Sequence, residues 1–202
     1  MATTDAGENK AWELLAARDP AEVCARAAVS FDPDNGTYRL PSFGRHFSAC
    51  PGARSLLALE PEGDVFLQRY ASFFRLSALW YLVKASAARP TGNLVKPSNL
   101  PGGEIFCKGS HVLPLDALAA KFAARPEAFL AAGAALGGRE AGFGDAAVEL
   151  PALPKVPTTL ILWTADDEFP ARADLLLDAT APRHLPLDIL WSVAMLSILP
   201  LL

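Results

Sequence analysis

Apolar residues recurring at intervals of three and four predict a first helix over residues 8–18, with Trp12, Leu15 and Leu14 turned inward. Asp19-Pro20-Ala21-Glu22 restarts a helix that should end near Val29. Asp19 can accept from the free N–H groups of the first turn, Pro20 suits that turn, and Glu22 completes a capping-box spacing. The pattern then changes. Asn35-Gly36 tolerates positive φ and marks a turn. Residues 37–40 and 45–48 read as short strands around Pro41-Ser42-Phe43-Gly44, and residues 55–59 offer a third strand.

The longest helical pattern opens at Asp64 and runs to about Ala87. Phe66, Tyr70, Phe73, Phe74, Trp80, Tyr81 and Val83 fill more than one stripe, so this helix is expected at the centre, buried over much of its circumference. So many rings could line a planar cofactor, but core packing accounts for them more simply. Next comes a Pro/Gly-rich connection with a short strand at 104–108. Helices at 114–124 and 126–136 follow, the second capped by Gly137-Gly138. Residues 137–157 read as one long irregular stretch, a length often tied to function. Residues 158–163 are apolar on both faces, as a central strand is, with 173–177 as the neighbour. Pro186 starts the last helix. The expected class is α+β: a small, mostly antiparallel sheet packed against several helices. The expected organisation is a single domain over 1–202, with N-terminal helices and a hairpin in 1–63 and the main region in 64–202.

Composition narrows the partners. With 202 residues, 51% apolar and 20% charged, the chain can build a sizeable core. A net charge of −4 disfavours non-specific binding to nucleic acid or an anionic membrane, both of which need clustered positive charge. The N-terminal stretch carries acids early and lacks an apolar h-region, so no signal peptide is read. The final segment, from Ile189, is uncharged but interrupted by Pro200, and a bilayer span takes about 20 apolar residues. A buried C-terminal helix is the expectation. Three cysteines without a CxxC pair suit free thiols in a reducing cytoplasm.

Three sets of residues carry candidate chemistry. Asp166, Asp167 and Glu168 sit between the two apolar runs at 158–163 and 173–177. Converging carboxylates there could hold Mg²⁺ or Ca²⁺ or act as a general base, with Asp174, Asp178, Asp188 or Glu149 as further ligands. Consecutive residues of an extended chain point apart, however, and a solvated loop closed by local side-chain-to-backbone bonds explains the acids at less cost. His46 and Cys50, with Cys107 and His111, form a second set, a Cys₂His₂ combination that lacks the usual tight knuckle. The glycines at 133, 137, 138, 142 and 144 follow a helix rather than a strand. They make no phosphate loop, and the chain holds no GxSxG or HExxH. His184, beside Arg183, reads as a surface residue.

The segments LWYLVKASAARPTGNLV, LPGGEIFCKGSHVLPLDALAAKF, the LGG at Leu136 to Gly138 and LPKVPTTLILWTADDEFPARADLLLDATAPRHLPLDIL resemble an uncharacterised domain family of anaerobic bacteria and archaea. Trp163 to Pro170 is the most specific piece. Some members of that family carry an adjacent cysteine-rich, iron–sulfur-like segment. The resemblance implies accessory roles in anaerobic redox, one-carbon or corrinoid metabolism, with an iron–sulfur or corrinoid protein as partner. This chain has no iron–sulfur cysteine cluster of its own, and its cofactor is left open.

The leading expectation is a non-enzymatic, ligand-binding or accessory module. Its face would be built from Gly102-Gly103, the loop holding Phe143 and Asp145, and the loop holding Asp166, Asp167, Glu168 and Phe169, with Phe106 adding apolar contact. These three loops are expected to converge. The rival is a metal-assisted hydrolase using Asp166, Asp167 and Glu168. A third reading is a structural subunit that packs Ile189, Val193 and Leu196 on a partner.

Overall fold

The structure, a computed structural model, describes residues 2–107 and 109–202, and their side chains except at 2–5, 107 and 110. Helix α1 (Ala2–Ala16) starts earlier than the apolar spacing indicates and buries Ala11, Trp12 and Leu15. Helix α2 (Pro20–Ala27) begins as its cap dictates: the Asp19 carboxylate accepts from the Ala21 N–H at 3.1 Å. Strands β1 (Ser30–Asp32), β2 (Thr37–Ser42), β3 (Arg45–Cys50) and β4 (Ser55–Ala58) form an antiparallel sheet in chain order. The β2–β3 turn shrinks to Phe43-Gly44, with φ of 50° and 72°, the two-residue form that matches strand twist. Phe43 tolerates this left-handed backbone because its ring is buried and its N–H donates to the Pro151 carbonyl at 2.8 Å.

Helix α3 (Pro61–Lys84) packs on this sheet, with the Phe47 and Phe74 rings 4.3 Å apart between centroids. It is central, as its aromatic content requires: Phe66, Phe74 and Tyr81 are buried. Strand β5 (Leu94–Val95) follows. The segment expected as a strand at 104–108 is instead a 3₁₀ turn, Gly103–Cys107, with Lys108 outside the described residues. A Cβ on Gly103 would stand 2.1 Å from the Pro97 carbonyl oxygen, so only a glycine lets the chain pack this closely over residues 97–98. Helices α4 (Leu115–Phe122) and α5 (Pro126–Ala134) agree with their apolar spacing, and Gly137, at φ 71°, ends the second.

Residues 137–157 are not irregular. They hold β6 (Arg139–Glu140) and β7 (Ala146–Leu153), and β7 forms a tight hairpin with β8 (Val156–Trp163). Ala146, Ala147 and Pro151 disguise β7, and the proline is tolerated where the register shifts between Leu150 and Leu153. Strand β9 (Arg172–Asp178) completes an antiparallel sheet of order β5-β9-β8-β7-β6, with β8 central.

Alternation and register divide this larger sheet into two faces. Val148, Leu150, Leu160, Leu162, Leu175 and Leu177 share the inner face, against α4, α5 and α6 (Leu187–Ile198). Thr158 and Ser197 hydroxyls meet there at 2.8 Å. The outer face carries Glu149, Thr159, Ile161, Trp163, Arg172 and Asp174. The smaller sheet docks on β7 through the Phe43 N–H and through the Ser42 hydroxyl, which donates to the Ala152 carbonyl at 2.5 Å. Beside this joint, Gly44 and Gly137 touch backbone to backbone: a Cβ on Gly44 would lie 2.9 Å from the Gly137 Cα.

Two expectations fail at the C-terminal end. Ile189, Val193 and Leu196 are at most 6% exposed, so the face assigned to a partner is already filled inside the molecule. His184 is fully buried, because the 3₁₀ turn Ala181–Arg183 tucks it behind the loop that follows α3. There its Nδ1 accepts from the Ser86 N–H at 3.3 Å. Among the described residues no helix is long and apolar enough to cross a membrane.

Candidate functional site

Pairing of Trp163 with Arg172 ends the β8–β9 ladder, so residues 164–171 form the connection at the rim of the larger sheet. Both side chains leave the outer face, and the Arg172 guanidinium lies 4.0 Å from the centroid of the indole ring. Beyond them the loop closes on itself. Asp166 Oδ1 accepts from the N–H groups of Glu168 at 2.9 Å and Phe169 at 2.7 Å, while the Asp166 N–H donates to the Phe169 carbonyl at 3.0 Å. This is an Asx turn, which acidic loop residues favour. It leaves the Phe169 ring 65% exposed, held outward by its own backbone.

A neighbouring loop completes the site. Gly144, at φ 58°, passes so near β8 that a Cβ would meet Ile161 Cγ2 at 2.6 Å. Its successor Asp145 donates its N–H to the Leu162 carbonyl at 3.0 Å, and its Oδ2 accepts from the Thr164 N–H at 2.7 Å and hydroxyl at 2.9 Å. Those two donors hold the Asp145 carboxyl below the usual carboxylate range. Asp145, Trp163, Thr164, Asp166, Phe169 and Arg172 line one cavity of about 590 Å³.

Of the residues the sequence singles out, Asp145, Asp166 and Phe169 come together here. Asp167 and Glu168 stand on the same turn, exposed to water, and Phe143 is 45% exposed next to Gly144. Gly102 and Gly103 lie elsewhere, against Leu187 and against Pro97 and Ser98. Phe106 lines a different hollow with Lys96 and Asp174.

Among the described residues no three His, Cys, Asp or Glu side chains converge as a metal site. Asp166 spends an oxygen closing its own turn. Three of the four acids held in reserve are engaged: Asp174 with Lys96 at 2.7 Å, Glu149 with Arg139 at 2.7 Å, and Asp178 with backbone donors. In the Cys₂His₂ set, His46 and Cys50 lie on the single strand β3. At about 3.3 Å per residue their backbones are roughly 13 Å apart, too far to share one ion. His46 Nδ1 instead sits 2.9 Å from Glu60, and the His111 ring packs edge-on to Trp191 at 4.9 Å. The Cys107 side chain lies outside the described residues.

At the opposite end of β9, sequence reasoning held Asp178 only as a spare metal ligand and missed its structural role. Asp178, 1% exposed, accepts from the N–H groups of Thr91 at 2.8 Å, Gly92 at 2.7 Å and Thr180 at 2.9 Å, and from the Thr180 hydroxyl at 2.6 Å. Burial pushes its carboxyl up, but the donors from Thr180, Gly92 and Thr91 together win and hold it below the usual range. The one local signal is the run Asp178-Ala179-Thr180, a side-chain turn at a strand end.

The model of one protein family matches residues 19–199. The chain belongs to DUF3786, a domain of unknown function. The matched span takes in the smaller sheet as well as the larger one, and the rim loop of this DUF3786 chain falls well inside it. No curated protein and no solved structure matches the chain.

Proposed function

We propose that this DUF3786 chain is a non-catalytic binding module whose ligand or partner presents a cation beside an apolar group to the β8–β9 rim. One observation carries the reading. Phe169 is 65% exposed on a turn closed by its own backbone and Asp166, over a cavity with two carboxylates in its wall. An aromatic ring left in water forgoes the gain of burial, and a ring with a polar rim is a common anchor for recognition. Asp145, Asp166, Asp167 and Glu168 give this edge its sign, and Arg172, in the cavity wall, is stacked on Trp163.

The resemblance noted from the segments around Trp163 to Pro170 supports an accessory role in anaerobic redox, one-carbon or corrinoid metabolism, with an iron–sulfur or corrinoid protein as the partner. The thiols of Cys24 and Cys50, both free, suit the reducing cytoplasm where such proteins work. The acidic rim argues against nucleic acid as the partner.

The test is a titration of the ¹⁵N-labelled chain with phenethylammonium, a cation on a ring, followed by amide shifts. Saturable shifts confined to Asp145 and residues 163–172, lost in Phe169→Ala and weakened in Asp145→Asn, are the expected result. Shifts scattered elsewhere, or unchanged in both variants, would defeat the reading.

A further inference from the structure

A second cavity, of about 340 Å³, opens where α3 meets the Phe43-Gly44 turn and the end of α5. Phe66, Tyr70 and Leu136 form its walls, and Val65, 67% exposed, stands at its mouth. Its charged groups are Arg45, Arg69 and Glu62. Arg45 is unusual. Its Nη1 donates to the Phe43 carbonyl at 2.6 Å and its guanidinium lies 5.3 Å from the Phe66 centroid, yet its Nε is buried without a partner. Neither arginine has a carboxylate within 4.0 Å among the described residues. Glu62 acts on Arg45 only from further off, opposing the downward pull of burial on its pKa.

Arg45 is half-buried, and a guanidinium so placed with no carboxylate partner keeps its charge and its outer donors for an oxyanion. A ring face answers only part of that charge. The wall is itself irregular: α3 departs from helical geometry at Tyr70, with φ −118° and ψ 21°. Breaks inside helices usually trace to proline, glycine or an inserted group, and neither proline nor glycine adjoins Tyr70.

We infer that this cavity binds a small organic anion. A carboxylate or phosphate accepts from the Arg45 guanidinium, with Arg69 at the mouth, and a body about one ring in size rests on Phe66, Tyr70 and Leu136. The planar fork of a guanidinium suits an oxyanion better than a point charge does. The volume sits near the lower end of the range for ligand sites, roughly 300–1,000 Å³, which limits the body to that size. This site is separate from the rim loop, which favours a cation.

Calorimetric titration of the full chain at fixed ionic strength tests it, with benzoate, phenyl phosphate, inorganic phosphate and benzamidinium as probes. At least one aromatic anion should bind saturably, inorganic phosphate about tenfold more weakly, and benzamidinium not at all. The tighter of the two aromatic anions identifies the oxyanion. Arg45→Gln should weaken binding by about tenfold or more, Arg69→Gln by less, and Phe169→Ala not at all. If Arg45→Gln does not fold, Arg45→Lys keeps the charge without the fork and should still weaken binding several-fold. The inference is overturned if neither aromatic anion saturates, if inorganic phosphate binds as tightly as phenyl phosphate, or if the arginine variants bind like the parent.

Discussion

Strand β9 ends in one aspartate, Asp178, and the rim loop that leads into it holds another, Asp166; the two have opposite surroundings. Asp178 is 1% exposed and draws its donors from Thr91 and Gly92, 87 and 86 positions away in the chain, as well as from Thr180. Asp166, in the loop before the strand, is exposed and draws its donors from Glu168 and Phe169, two and three residues on. One carboxylate ties a remote loop to the sheet. The other shapes only its own turn and leaves the neighbouring ring free. The same side chain is structural where its partners are distant and burial is complete, and available for recognition where its partners are local and water is near.

The largest effect should come from the buried end. Asp178→Ala leaves three N–H groups without an acceptor, at about 1–3 kcal/mol each, so a loss of roughly 3 kcal/mol or more is expected in chemical denaturation. A loss below about 1 kcal/mol would erase the contrast between the two ends.

Acid should act on the same region next. Burial, with Lys155 and Arg183 nearby, holds the His184 pKa below its ordinary value, against the pull of Asp178. The unfolded chain then binds the proton more readily, so stability is complete above about pH 6.5 and falls as the pH drops below it. His184→Gln should flatten this slope between about pH 6.5 and 5. The Asp178 carboxyl, also depressed, adds stability that is present above about pH 4 and is lost at lower pH. A parent protein with no slope between pH 6.5 and 5 would contradict the buried, neutral histidine.

Smaller changes are expected at the exposed end. Asp166→Ala should cost about 1 kcal/mol or less, while amide exchange quickens at Glu168 and Phe169 only. Phe169→Ala should leave stability within about 0.5 kcal/mol and abolish phenethylammonium binding. A variant that unfolds would mean the ring is part of the core after all.

Much of this contrast was legible in the chain, but unevenly. The β8–β9 pair was readable because residues 158–163 are apolar on both faces and the acids between the runs cannot be core. The closure of Asp166 on its own turn was readable too, since local side-chain-to-backbone bonds need no knowledge of the fold. Asp178 was not, because its donors come from a loop that sequence distance hides. His184 was misplaced for a related reason: a histidine beside Arg183 looks polar, and only the tertiary packing behind α3 buries it. β7 escaped because two alanines and a proline carry little strand preference. Its place is fixed by β8 and by Gly133, where a Cβ would meet Val148 at 2.6 Å.

The touching glycines 44 and 137 have a consequence of their own. A seam made of interlocking side chains can be retuned by compensating substitutions, one larger and one smaller. Where two main chains abut there is nothing to trade, so an added methyl at either position must push the hairpin and the helix end apart. The gap of about 540 Å³ between that hairpin and β7 is thus gauged by the polypeptide backbone itself.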